Sequence, residues 1–200
     1  MTKEIVEIYY DFADPYCYVF LDDLYEIESL KDVEVIWQPY NLKASGGIIE
    51  SGASFSEEEV SYIKEEVGRL AKERNLEIVF SPDWPKEEFD VSRATRAAFV
   101  ALDLGVGKEF NYRVSYRIWG LGEDPAKDSF LIQVAEDLDL DLAEFLTKVS
   151  LVDTRERARG VVQRAKKQGV FRTPTITFKE QRFYGYWNIK RAIDVIASRG

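Results

Sequence analysis

The sequence predicts an α/β fold in which a small sheet layer, built from both ends of the chain, is interrupted by a large all-helical insertion. Three observations carry that prediction. A strand, a helix and a second strand fit within the first forty residues, a β-hairpin followed by a helix occupies the last thirty, and about a hundred residues between them show helical periodicity with no strand among them.

Residues 4–12 hold Ile5, Val6, Ile8, Tyr9 and Tyr10 without a helical period, which predicts a strand buried on both faces. Asp14-Pro15 then offers a side-chain acceptor at an N-cap and a fixed φ at the first helical position. Tyr18, Leu21, Leu24, Tyr25 and Ile27 recur at three and four, so one face of a helix reaching about Leu30 points to the core. Val33, Val35 and Trp37 alternate with Glu34, Ile36 and Gln38 before Pro39, a half-buried strand that the proline ends. A helix joins these two strands, so they are expected to be parallel.

Residues 41–54 read as a long Gly- and Ser-rich loop. Ser56 and Glu59 form a capping box, and Val60, Ile63, Val67, Leu70 and Ala71 extend that helix to Arg74-Asn75. Residues 76–85 are extended and punctuated by proline. Ser92 opens a helix rich in alanine that ends near Gly105, and further helices are expected at 108–119, 129–137, 142–148 and 154–168. Strand character returns at 173–178 and 182–186, on either side of a Lys179-Glu180-Gln181 turn, and a last helix covers Ile189–Ala197. These bounds assign 1–54 and 169–200 to the α/β layer and 55–168 to the helical insertion.

Composition removes several function classes. A formal charge of −9 argues against nucleic acid or an anionic membrane as partner. Acids interrupt every apolar pair in residues 1–7, so there is no signal-peptide core and no bilayer-spanning run, and the chain reads as cytoplasmic. One cysteine excludes an internal disulfide and a multi-thiolate metal site, and the absence of histidine excludes a histidine triad and a His-ligated zinc.

Asp11-Phe12 followed by Asp14-Pro15-Tyr16-Cys17-Tyr18 is similar to the strand end and Cys-Pro-x-Cys or Ser-Pro-Tyr-Ser turn of the DsbA-like thioredoxin proteins, which include 2-hydroxychromene-2-carboxylate isomerases and kappa-class glutathione transferases. Gly169-Val170-Phe171-Arg172-Thr173-Pro174-Thr175 resembles the Gly-Val-x-x-Thr-Pro-Thr loop of the same family. The resemblance spans nearly the whole chain and implies a thioredoxin-like layer, a cis Pro174 facing the helix start, a Thr173 backbone offered to ligand, and membership in an oxidoreductase or isomerase class. It leaves a homodimer open.

The departures carry their own chemistry. Asp14 stands where the family keeps its nucleophilic cysteine or serine, and only the second position keeps its sulfur, as Cys17. A dithiol cycle needs two thiols, so this chain alone cannot run it. After Gly185 the chain has Tyr186-Trp187-Asn188 in place of the Asp-Arg that holds glutathione in the family, which counts against glutathione or another small thiol as cofactor.

Two readings of Asp14 stand side by side. It is a helix cap and nothing more, or it replaces the nucleophile as an acid, a base or a fixed acceptor. Capping bonds and the helix dipole favour the carboxylate and lower its pKa, while a pocket lined by Tyr16, Trp37 or Trp187 would raise it. Cys17 is either a packed small hydrophobe or a monothiol, with the charge of Asp14 opposing its ionisation. Arg172 can pair with Asp14 or take a substrate carboxylate. Arg93, Arg96, Arg113 and Arg117 could line an anion pocket, and Tyr9, Tyr10, Tyr16, Tyr18, Trp37 and Tyr40 could form an aromatic cleft. The leading expectation is a non-redox enzyme for a small aromatic carboxylate or thiol conjugate, with Asp14 and Cys17 as catalytic candidates and Tyr16, Arg172, Thr173 and Pro174 around the substrate. Its rivals are a non-catalytic binding protein that uses the Pro174 groove and a monothiol redox protein acting through Cys17.

Overall fold

The first strand, β1 (Glu4–Tyr10), is the centre of a four-stranded sheet. It runs parallel to β2 (Val33–Pro39), from Glu4 opposite Val33 to Tyr10 opposite Pro39. On its other side lies antiparallel β3 (Thr175–Phe178), which pairs in turn with the edge strand β4 (Gln181–Tyr184). The order is β2-β1-β3-β4, so residues far apart in sequence meet at the carboxyl end of β1. The computed structural model describes residues 3–41 and 55–198; the loop expected over 41–54 lies, apart from Asn41, outside the described residues.

Burial explains why β1 is central. Val6, Ile8, Tyr9 and Tyr10 are all buried, and truncating one such aliphatic residue to alanine typically costs about 2 to 5 kcal/mol. Of the two acids on this strand Glu4 is exposed, and the half-buried Glu7 is accommodated because Gln38 and Gln168 donate their side-chain amides to it.

After β1 the chain turns at Asp11–Asp14 into α1 (Pro15–Val19) and α2 (Leu21–Glu26), followed by a 3-10 turn at Ile27–Ser29. The sequence predicted one continuous helix here. It breaks at Phe20, whose φ and ψ of −108° and 19° leave the helical region, and the break swings Phe20 under Tyr186 with ring centroids 4.6 Å apart. The apolar face is as expected: Leu21, Leu24, Tyr25 and Ile27 are buried.

The helical block follows. Helix α3 (Glu57–Glu73) opens with the full Ser56/Glu59 capping box. Helix α4 (Ser92–Asp103) buries its alanines, with Ala94, Ala97 and Ala101 fully enclosed so that neighbouring helices approach closely, and it ends before Gly105 at φ +76°. The helix expected at 108–119 is α5 (Gly107–Ser115) running into a π turn at Tyr116–Gly120. Helices α6 (Asp128–Asp137), α7 (Leu142–Ser150) and α8 (Val152–Lys167) complete the block, and α9 (Ile189–Ala197) packs on the sheet after β4. Among the described residues, no helix is long and apolar enough to cross a membrane.

Candidate active site

The turn from β1 into α1 is held by groups from across the molecule. Asp11 Oδ1 accepts from the Ala13 N–H at 2.9 Å, and the Asp11 carbonyl accepts from Asp14 N at 3.1 Å. The next two carbonyls are taken by indoles: Trp119 Nε1 donates to Phe12 O at 2.9 Å and Trp84 Nε1 donates to Ala13 O at 3.0 Å. These four hydrogen bonds fix the direction of Asp14.

Asp14 caps α1 with one carboxylate oxygen and reaches across the sheet with the other. Oδ1 accepts from Tyr16 N at 2.9 Å, and Oδ2 accepts from the Thr173 hydroxyl at 2.7 Å. The Thr173–Pro174 peptide is cis, and Pro174 O receives Gly185 N at 2.9 Å, which ties this loop to the end of β4.

These residues open onto a cleft of about 850 Å³, its open mouth included. Its floor holds Asp11, Ala13, Asp14 and Thr173, and its walls include Tyr16, Ile63, Trp84, Phe89 and Tyr184, with Arg172 and Lys86 as the cations. The remaining exposure of Asp14 is to this cleft, and the surroundings are mainly apolar. Burial therefore pushes its carboxyl up to about 7, against the pull of the Thr173 and Tyr16 hydrogen bonds, with the charge of nearby Asp11 adding to the rise. Capping alone predicts the opposite sign. Desolvation wins because an apolar wall outweighs two hydrogen bonds.

The aromatic residues that supply this wall differ from those expected. Trp37 lies in the core against Tyr25 and donates to Glu28 at 2.5 Å, while Trp187 is 60 % exposed and packs on Tyr184 and Tyr186. Tyr9 and Tyr40 sit in a separate cluster with Phe99 beneath α8, and Tyr10 and Tyr18 are core residues. Of the six expected aromatics only Tyr16 reaches the cleft. Its hydroxyl donates to Glu66, which also accepts from Tyr186 at 2.7 Å and Tyr62 at 3.3 Å, and its ring stacks on Tyr186 at 5.1 Å. Three donors hold Glu66 as a carboxylate, with its pKa lowered although burial opposes them.

Cys17 is 4 % exposed and absent from the cleft wall. Burial first, and the Asp14 charge second, push its thiol well above the ordinary range. Of the two readings of Cys17, this placement fits the packed small hydrophobe and not the reactive monothiol. Arg172 reaches the cleft with no carboxylate within 4 Å among the described residues, so the expected pairing with Asp14 is not made; its guanidinium lies 5.7 Å from the Phe55 ring centroid and beside Tyr184. Pro174 is buried and does not line the cleft. Trp84, Phe89 and Lys86 escaped the sequence reading; the signal was a tryptophan between prolines in an irregular stretch, where functional side chains concentrate.

The profile described as DSBA-like thioredoxin domain matches residues 5–196. A 2-hydroxychromene-2-carboxylate isomerase of Sphingobium xenophagum is 25% identical over 191 residues, covering 92% of this chain and 93% of that protein. Among solved structures, a 2-hydroxychromene-2-carboxylate isomerase aligns with a TM-score of 0.83 at 19% identity, over 98% of this chain and 95% of that one. A cytosolic disulfide reductase, DsbM, of Pseudomonas aeruginosa aligns with a TM-score of 0.68 at 17% identity, over 98% and 96% of the two chains. The sheet order and the helical block are thus those of a thioredoxin-like α/β fold.

Proposed function

Because this chain belongs to the DSBA-like thioredoxin domain family, yet carries a carboxyl at the head of α1, we propose that it is a non-redox enzyme that isomerises a small aromatic carboxylate by proton transfer through Asp14. One observation carries the reading: Asp14 lies in an apolar cleft with its acidity moved to about 7, where a group can both take and return a proton near neutral pH. Asp14 as carboxylate removes a proton from a hydroxyl or an acidic C–H of the substrate and returns it at another atom. The net change is isomerisation, with no electron transferred.

The other residues follow from the same geometry. Arg172, with no carboxylate within 4 Å among the described residues, holds the substrate's anionic group. Tyr16, Trp84, Phe89 and Tyr184 offer faces to an aromatic ring. Thr173 orients Asp14 through its hydroxyl.

A thiol cofactor does not fit this donor set. A thiolate at the head of α1 would lie against Asp14 and close to Asp11, and Cys17 already registers that field in its raised pKa. No step is therefore assigned to glutathione, and the buried Cys17 leaves the monothiol reading without a reactive sulfur.

The test is turnover of 2-hydroxychromene-2-carboxylate, and of hydroxylated cinnamate and benzoylpyruvate analogues, followed by absorbance without added thiol. Wild-type protein is expected to turn over at least one of them and Asp14→Asn to lose that turnover while its melting profile stays cooperative. Ligand binding in the cleft with no turnover would instead establish the non-catalytic binding reading.

A further inference from the structure

Of the four arginines that the sequence offered for an anion pocket, three are spoken for. Arg93 pairs with Asp128, Arg113 lies 3.6 Å from Asp137, and Arg117 contacts Glu123 and Asp137 at 2.7 Å each. Arg96 is the exception. It is half-buried in α4, enters no ion pair among the described residues, and its Nε is buried with no hydrogen-bond partner.

Its neighbours make that isolation costly. Helix α8 lies across α4, as the Arg157 guanidinium over the Phe99 ring at 4.8 Å and the Arg157–Asp103 pair at 2.8 Å show. That packing leaves Arg155, near the start of α8, close enough to Arg96 for their like charges to repel, with Arg93 one turn back on α4. Arg155 donates to Ser150 O at 3.1 Å and enters no ion pair among the described residues. Among the described residues the carboxylate that acts on the group is Asp90, whose Oδ1 already accepts from Ser92 N at 2.9 Å and Ser92 Oγ at 2.5 Å. Burial first, then the like charges of Arg155 and Arg93, lower the pKa of Arg96, and Asp90 offsets this only in part. In a chain of net charge −9, two arginines that make no ion pair among the described residues stand together.

We propose that Arg96 and Arg155 form a binding site for a phosphate-sized oxyanion, separate from the Asp14 cleft. A buried guanidinium donor calls for an acceptor, and a tetrahedral oxyanion can bridge two forks at once. The site is adjacent to the cleft: Asn41 lines the cleft and donates to Ser92 Oγ at 3.1 Å, and Arg96 follows Ser92 by about one helical turn, roughly 6 Å along α4. The ligand is either free phosphate or the phosphate end of a small phosphomonoester. The site does not depend on the reaction assigned to Asp14.

The test is calorimetry and thermal melting of the full chain with inorganic phosphate in low-salt buffer, chloride serving as the ionic-strength control. Phosphate is expected to bind and to raise the melting temperature, and Arg96→Gln to weaken binding by about tenfold or more, as loss of a charge-assisted bond implies. Arg155→Gln is expected to weaken it as well, and Arg113→Gln to leave it unchanged. Arg96→Met is expected to melt higher than wild type without phosphate and to lose the phosphate-dependent rise, a pair of results that misfolding cannot mimic. Tighter binding of glycerol phosphate than of phosphate identifies a phosphomonoester as the source; the reverse identifies the free anion. An equal rise with chloride, or phosphate binding unaffected by Arg96→Gln, overturns the site.

Discussion

The Thr173 hydroxyl donates to Asp14 Oδ2 at 2.7 Å across 159 positions of sequence, joining the loop before β3 to the head of α1. That bond favours the carboxylate form, so removing it lets burial act with less opposition. Thr173→Val is expected to move the Asp14 pKa up from about 7 by roughly one unit. With Asp14 acting as the base, activity rises as pH passes its pKa, so the acid limb of the pH profile should shift to higher pH. A limb that stays in place in Thr173→Val means that another group titrates there.

The raised acidity of Asp14 also leaves a mark on stability. Its folded pKa of about 7 exceeds the usual carboxyl value of 3.8, so between these limits the folded state binds more protons than the unfolded one. Stability should therefore fall as pH rises from 4 to 7 and level off above. Asp14→Asn keeps the cap acceptor without the charge and should be more stable than wild type above pH 7 by roughly 2 to 4 kcal/mol. Chemical denaturation at pH 5 and pH 8 measures it, and an equal difference at both pH values contradicts a protonated native Asp14.

Arg172 should act on binding more than on turnover. Arg172→Gln is expected to raise KM for a carboxylate substrate about tenfold or more, with kcat changed far less, because a charge-assisted bond made equally in ground and transition states is lost. The neutral amide analogue of the same substrate should not distinguish the two proteins. A drop confined to kcat would place Arg172 on the reacting atoms instead.

Cys17 should resist labelling. Iodoacetamide at neutral pH is expected to leave the folded chain unmodified and to add one group only in denaturant, as checked by intact mass. Cys17→Ala should cost about 1 to 2 kcal/mol, the scale of a small buried side chain. Rapid labelling of folded protein would restore the monothiol reading.

Much of the fold was legible because its signals are local. Asp14-Pro15, the Ser56/Glu59 box and Gly105 mark helix ends by side-chain and φ chemistry that needs no tertiary partner. The break at Phe20 was not, because it rests on Tyr186 arriving from the other end of the chain. The same limit applies to the site. Asp14, Tyr16, Arg172 and Thr173 were found from two short motifs, but the sign of the Asp14 shift depends on Trp84, Phe89 and Tyr184, which the fold places around it. Cys17 drew attention as the one thiol, and its depth in the core could not be read from its position in a helix alone. Arg96 resembled three other helical arginines; its buried Nε without a hydrogen-bond partner and its lack of an ion pair among the described residues separate it from them.

The two indoles that hold the Phe12 and Ala13 carbonyls come from the middle of the chain, and Thr173 comes near its end. During synthesis the residue at the heart of the cleft therefore leaves the ribosome well before the two tryptophans and the threonine that hold it. Until the cleft closes around it, Asp14 is an ordinary solvated acid, negatively charged at neutral pH. Closure of the apolar wall, by Trp84 and Phe89 as well as by Tyr184, is then what raises its hold on a proton, and release of that proton on unfolding would report the loss of this wall before any activity is measured.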